Sequence, residues 1–386
     1  MSIILSPDQV REEAAISLGQ HSSATPHRGM PPFDPSGPPV SFFEFWPGSV
    51  FYAPVVAWCL WLSLRYGHPL ALTASNPGFP AGGLVGESKL AILGQARGAA
   101  KEAIARFAGI TITEDRAAVL LQARRAMAEA GLDFPLVMKP DMGCRGVGVQ
   151  LARGPCDLKR YIEAFPAGQS VVLQDYVAHE AEAGIFYIRY PGEVRGRIIS
   201  ITLKYFPHVT GDGRSTLRQL IETDPRAGRL SHLYLPRHSD KLERVVPSGE
   251  HVRLAFAGSH SRGTIFRNGT HLVTEAMERA FDRIADDLPG FHFGRFDVRA
   301  ESIAALQDGQ AFRILEINGA GGESTHIWDR RTTLFDAYRA LFRQFAHAYR
   351  IGAENIRRGH RPTGIMDLFR LWRREKALVG NYPPTQ

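Results

Sequence analysis

Cysteine is scarce in this chain: Cys59, Cys144 and Cys156 are the only three in 386 residues. Three scattered thiols cannot build a disulfide framework, and their spacing fits no zinc knuckle. A reducing, cytoplasmic setting is therefore the expectation. Long apolar runs are equally rare. The uncharged stretch 50–64 (VFYAPVVAWCLWLSL) is shorter than the ~20 residues a bilayer-spanning helix needs, and Pro54 interrupts it. Length favours a helix buried in an N-terminal lobe. The opening residues carry Asp8, Glu12 and Glu13 with no apolar core after them, so no secretory signal is expected. No G-x-S-x-G, H-E-x-x-H or Cys/His motif occurs, which argues against side-chain nucleophiles and zinc hydrolysis. The segment GGLVGESK at 82–89 lacks Walker A spacing. No run of Lys and Arg interleaved with aromatics marks a nucleic-acid module, so no nucleic-acid partner is expected.

What is present reads as a soluble globular chain, 44% hydrophobic and 22% charged, long enough for two or three lobes. Its formal charge of +7 favours anionic partners, substrate phosphates among them. Residues 1–40 form a mobile lead-in, since 21–40 is rich in Pro, Gly and Ser. An N-terminal lobe spans 41–100, a central lobe 101–177 and a C-terminal lobe 178–350, followed by a basic tail helix at 351–386. Periodicity predicts helices over 88–107, 113–131, 215–221, 270–287 and 332–350. Strands are predicted over 134–139, 171–177, 293–299 and 311–318, with β-like character from 185 to 209 and a turn at Pro191-Gly192. Hairpins mixed with helices predict α+β lobes rather than a doubly wound sheet.

Two strands carry the densest chemistry. In FGRFDVR, Arg295 and Asp297 share one face while Phe296 and Val298 take the other. In FRILEING, Glu316 and Asn318 share a face, with Leu315 and Ile317 opposite. If the strands pair, two carboxylates and an amide oxygen converge beside a guanidinium. Crowded carboxylates need a cation or a proton, and hard oxygen donors suit Mg²⁺, with Mn²⁺ as a substitute. A solvent-facing charged strand pair is the alternative for these residues alone. A second feature is a strand ending in Lys139-Pro140, followed by a loop with Gly143, Gly146 and Gly148. Such glycines admit close backbone approach, and consecutive amides can surround phosphate oxygens.

Taken in order, Lys89, the Lys-Pro strand FPLVMKP, the glycine loop, the strand VVLQDYV and the final R-x-D and E-x-N pair resemble the ATP-grasp superfamily over roughly 85–345. The likeness is to carboxylate–amine ligases such as D-alanine–D-alanine ligase. VTGDGRSTLRQLI is similar to the matching stretch of the ATP-grasp part of cyanophycin synthetase. The resemblance implies two α/β lobes gripping Mg·ATP. It would place Lys89 and Lys139 on the α- and β-phosphates, with residues 142–149 closing over the triphosphate. Gln174 to Val177 would face the adenine edge, and Glu182, with Glu180 as rival, the ribose. Lys204 would reach the γ-phosphate, Asp297, Glu316 and Asn318 would hold one or two Mg²⁺, and Arg295 would stabilise the transferring charge. The expected function is ligation of a small-molecule carboxylate to an amine through an acyl phosphate, releasing ADP and phosphate. Two alternatives are a nucleotide-binding module without ligation and an ATP-grasp enzyme with a non-amine acceptor.

Two departures narrow the expectation. No Gly-Gly-x-Ser-x-Glu segment precedes Lys89, and Gly321 stands where relatives often carry proline after the metal-binding Asn. Both point away from a D-alanine pair. The acid and amine would enter through loops 68–87, 225–265 and 319–330, with Glu323, Ser324 and Thr325 lining the acceptor region. His179, His208 and His326 fall near the site, where packing is the default role of a lone histidine. Near the C-terminus, Ile365, Leu368, Phe369 and Trp372 have helical spacing among Arg370, Arg373, Arg374 and Lys376. Docking onto the protein's own body is the first expectation for this helix. Peripheral membrane contact and a homodimer stand as secondary ones.

Overall fold

The computed structural model describes residues 26–143, 146–256, 258, 260 and 263–385. Cys144, and with it part of the expected lid, lies outside them, as does the lead-in before residue 26. Helix α1 (Ala53–Tyr66) starts with Pro54 in its first turn, where a missing N–H costs nothing, and ends at left-handed Gly67. It buries Val55 and Leu62, and the Trp58 indole donates to the Phe342 carbonyl at 2.9 Å. The uncharged stretch is thus a helix docked on the body by one side rather than buried, since Val56, Leu60, Trp61 and Leu64 remain exposed. Among the described residues no helix is long and apolar enough to cross a membrane.

The helix predicted over 88–107 divides into α2 (Lys89–Gly94) and α3 (Gly98–Ala103). The reason is tertiary: the Asp287 carboxylate accepts from Ala99 N at 2.7 Å and caps a new start. Ile92, Leu93, Ala100 and Ile104 all pack into the core of the larger sheet. From Phe107 the chain turns to strand rather than helix. Strands β1 (Phe107–Thr111), β2 (Leu136–Pro140), β3 (Gln150–Ala152) and β4 (Ser170–Asp175) form an antiparallel sheet in the order β1-β4-β2-β3. Its inner face packs on α4 (Arg116–Ala130) and α5 (Pro155–Ala164) through Val119, Ala123, Met127, Leu158 and Ile162.

The larger antiparallel sheet runs β11-β10-β5-β6-β9. Its strands are β5 (Ala181–Ile188), β6 (Arg197–Tyr205), β9 (Ile265–Asn268), β10 (Phe293–Ala300) and β11 (Phe312–Asn318). Gly192 makes the turn between β5 and β6 with φ +89. Helix α6 (Glu275–Asp286) buries Met277, Phe281 and Ile284 against Phe296, Val298 and Ile314. Between β6 and β9, the short pair β7 (His208–Thr210) and β8 (His251–Arg253) and a helix at Leu217–Thr223 enclose their own core of Leu217, Ile221 and Tyr234. Helix α7 (Leu334–Arg357) extends a turn and more beyond its predicted end. Its Asn355 amide donates to the Ala74 carbonyl, so a buried polar contact carries the helix past residue 350. Helix α8 (Ile365–Val379) follows. The mixed, antiparallel arrangement is α+β, as the hairpin signals require.

Leu315 does not share the face of Ile317 that strand alternation predicts. The register pairs Asp297 with Glu316 but Val298 with Ile314, so a bulge falls at Leu315. Ile314 and Ile317 enter the core, whereas Leu315 lines the cleft instead of sharing the face of Ile317.

Candidate active site

A cleft of about 1120 Å³ lies between the two sheets. Its floor is the charged face of β10 and β11. Asp297 faces Glu316 across the ladder, and Arg295 faces Asn318. On the other side β5 places Gly184 opposite Asp297. A Cβ there would stand 3.1 Å from Arg295 Cδ and 3.2 Å from Asp297 Oδ1, so glycine leaves room for both side chains.

Asp297 is 6% exposed. The Arg295 guanidinium donates to both its oxygens at 3.0 and 3.1 Å, and Lys204 Nζ lies 3.0 Å from Oδ1. Burial raises its pKa, but Arg295 and then Lys204 outweigh that and hold the carboxyl at about 2. Burial likewise opposes the charge on Lys204, yet Asp297 and Glu182 raise its pKa. Glu182 pairs with Lys204 at 3.2 Å and Arg299 at 2.9 Å. Burial raises it, and these two cations pull it down. Glu316 differs: its side chain is 33% exposed and lies 3.4 Å from Lys89 Nζ. The Asn318 amide nitrogen donates to Asp297 at 3.4 Å, which leaves the amide oxygen as the third hard donor. Among the described residues no three His, Cys, Asp or Glu gather for a metal. The oxygen set here is two carboxylates and an amide, compatible with Mg²⁺ that takes its remaining ligands from phosphate and water.

The lysines enter from the smaller sheet and its approach. Ser88 caps α2, and the Asp141 carboxylate accepts from Ser88 Oγ and Leu90 N. Lys89 Nζ then donates to the Gly143 carbonyl at 2.9 Å. Lys139, on β2, spans the cleft: its Nζ donates to Gln174 Oε1 at 2.8 Å and to the Leu315 carbonyl at 2.9 Å. Burial lowers its pKa to about 8, with Glu316 partly opposing. The Val177 carbonyl accepts from Arg299 at 2.8 Å, so the same guanidinium braces Glu182 and the strand end.

Gly146 and Gly148 adopt φ +70 and +73, which other residues reach only with strain, and a Cβ on Gly148 would meet Pro140 at 2.8 Å. No local motif marks what sits on this loop. Tyr382 donates to the Met142 carbonyl at 2.7 Å, Thr385 Oγ1 donates to the Gly146 carbonyl at 2.8 Å, and Gly148 N donates back to it at 3.1 Å. The tail thus straps the glycine loop, and α8 docks beside it: Gly86 N donates to Glu375 at 2.7 Å, with Leu371 packed on Gly86. The helix touches the body through Leu371 and Glu375 and not through the apolar stripe expected to dock, which leaves Ile365, Phe369 and Trp372 exposed.

At the far end of the cleft, Glu323 accepts from Tyr52 at 2.5 Å and from the Trp328 indole at 2.9 Å, while its carbonyl accepts from Arg295 at 2.8 Å. Ser324 is buried and bonded to Gln344, so only Glu323 and Thr325 of the expected trio line the cleft. Glu87, also missed, accepts from Gly319 N at 2.7 Å, and burial lifts its pKa to about 7 with help from Glu316. His326 does not line the cleft, and burial lowers it to about 4. The missed residues share one property. Each acts through a long-range partner, as when Asn76 donates to the Phe293 carbonyl, and no local motif announces that.

No family model matches the chain. It is 24% identical over 218 residues to cyanophycin synthetase of Synechocystis sp., covering 50% of this chain and 24% of that protein. It is 26% identical over 175 residues to the glutathione biosynthesis bifunctional protein GshAB of Streptococcus mutans, covering 40% of this chain and 22% of that one. The chain thus spans about a quarter of the length of these relatives. A bifunctional glutathione synthetase from Pasteurella multocida aligns in structure at 17% identity, over 66% of this chain and 36% of that one, with a TM-score of 0.34. In sequence the chain resembles the ATP-grasp carboxylate–amine ligases, and its α+β architecture is the one that resemblance implies.

Proposed function

We propose that the chain is an ATP-dependent carboxylate–amine ligase that phosphorylates a small-molecule acid and passes its acyl group to an amine, releasing ADP and phosphate. The observation that carries this reading is the convergence of Lys139, Lys204 and Arg295 on the Asp297–Glu316 strand pair in one cleft, with Lys89 3.4 Å from Glu316 at its edge. Phosphoryl transfer asks a protein for alignment and charge neutralisation, which these groups supply.

In this reading Lys89 and Lys139 take the α- and β-phosphates, and Lys204 the γ-phosphate. The loop with Gly143, Gly146 and Gly148 covers the triphosphate and keeps water from the reactive acyl group. Gln174 and the backbone to Val177 line the adenine, and Glu182 meets the ribose once Lys204 turns toward phosphate. Asp297, Glu316 and Asn318 would hold Mg²⁺, which would supply charge neutralisation for the phosphates. Arg295, already oriented by Asp297 and the Glu323 carbonyl, faces the charge that develops on the acid. The test is product formation from pools of acids and amines. ADP and phosphate should accumulate only with Mg²⁺, an acid and an amine together. Release of AMP and pyrophosphate overturns the proposal.

A further inference from the structure

Helix α8 does more than dock. None of its residues is buried, and Ile365, Phe369 and Trp372 are 70%, 49% and 47% exposed. Its inward seam is Leu371 and Glu375, held at Gly86. One turn away, the apolar stripe leaves a groove of about 660 Å³ between the helix and residues 84–85. Its walls are mainly apolar, Leu84, Val85, Leu368, Phe369 and Trp372 among them, with Glu375 and Lys376 as the charged residues of the lining. That volume falls in the roughly 300–1,000 Å³ range of small-molecule sites. Its position is the telling point. Leu84, Val85 and Glu375 line both this groove and the catalytic cleft, so the two spaces adjoin at those residues.

A bare apolar groove in water is costly, and one that adjoins a polar cleft fits a molecule apolar at one end and reactive at the other. The acidic side chains on the cleft side of the junction are Glu375, which accepts from Gly86 N, and Glu87, which accepts from Gly319 N, and their remaining oxygens favour a cationic head. We propose that the groove receives the hydrocarbon chain of the amine substrate, whose head passes Glu375 into the cleft. Calling that amine a substrate rests on the ligase reading; the binding site itself does not. Lys376 lines the groove beside Glu375 with its Nζ over the Trp372 ring, and Arg373 lies over the Phe369 ring.

The test is calorimetric titration of the full chain with n-octylamine, n-butylamine, n-octanoate and phosphatidylglycerol vesicles. Each buried methylene is worth roughly fourfold in affinity, so n-octylamine should bind one-to-one and at least tenfold tighter than n-butylamine. Trp372→Asp and Phe369→Ser change exposed residues and should keep the melting temperature while losing that preference. Equal affinity for both amines, tighter binding of n-octanoate, or binding to vesicles with none to n-octylamine overturns the proposal, the last assigning α8 to a lipid surface. Octylamine binding with no ADP from any acid–amine pair would keep the groove and remove the ligase reading. ADP release with short amines but no octylamine preference would do the reverse.

Discussion

Asp297 and Glu316 are register partners across β10 and β11, yet their surroundings differ sharply. Asp297 is buried between Arg295 and Lys204, while Glu316 is a third exposed toward Lys89. One carboxylate is already neutralised by the protein. The other, paired with Lys89 at 3.4 Å, is the more accessible of the two.

Their substitutions should separate. Glu316→Gln breaks only the partly exposed pair with Lys89, a loss of about 0–1 kcal/mol, so its melting temperature should fall by no more than about 2–4 °C while turnover falls at least a hundredfold. Asp297→Asn leaves two buried cations short of a partner, a loss of roughly 3–5 kcal/mol. Thermal melts beside an ADP assay check both. A Glu316→Gln variant that still turns over would remove the metal assignment.

Lys139 sits at about 8 because burial disfavours its charge. Raising the pH through 8 neutralises it in the ligand-free protein, so Mg·ATP should bind progressively more weakly between pH 7 and 9.5. Lys139→Met should bind weakly throughout and lose this component of the profile. Calorimetric titration across that range is the measurement, and identical profiles for both proteins would contradict the assignment.

Glu87 has a folded pKa of about 7, above its ordinary 4.5. A carboxyl raised in this way contributes stability that is fully present below 4.5 and lost as pH rises through 7. Glu87→Gln keeps an acceptor for Gly319 N and removes the charge. In the absence of metal it should be more stable than the parent by about 1–3 kcal/mol at pH 8 and nearly equal at pH 4.5. Urea melts at the two pH values decide it.

Deleting residues 381–386 removes the Tyr382 and Thr385 bonds to the glycine loop. Amide hydrogen exchange at Gly146 and Gly148 should then accelerate about tenfold, with the sheet core unchanged. Equal exchange in both proteins would show that the strap does not order the loop.

Much of this site was legible because its residues are local in sequence. Arg295 and Asp297 alternate on one strand and Glu316 and Asn318 on another, and period two puts each pair on one face. Lys139 and its glycines were readable for the same reason. Leu315 was misplaced because a bulge breaks the alternation, and nothing in FRILEING marks it. The helix over 88–107 was overextended because Asp287, nearly two hundred residues away, caps Ala99. The tail strap, the Glu87–Gly319 bond and the Asn76–Phe293 bond were invisible for one reason: each is a contact between distant segments.

The central claim is that the chain activates a carboxylate by phosphorylation. Once an acid that supports ADP release is found, it should be prepared with ¹⁸O in its carboxylate and turned over with ATP, Mg²⁺ and amine. The account predicts one ¹⁸O in each inorganic phosphate released, because the acid oxygen that takes the phosphoryl group leaves with it. Label in AMP, or phosphate carrying none, would contradict it.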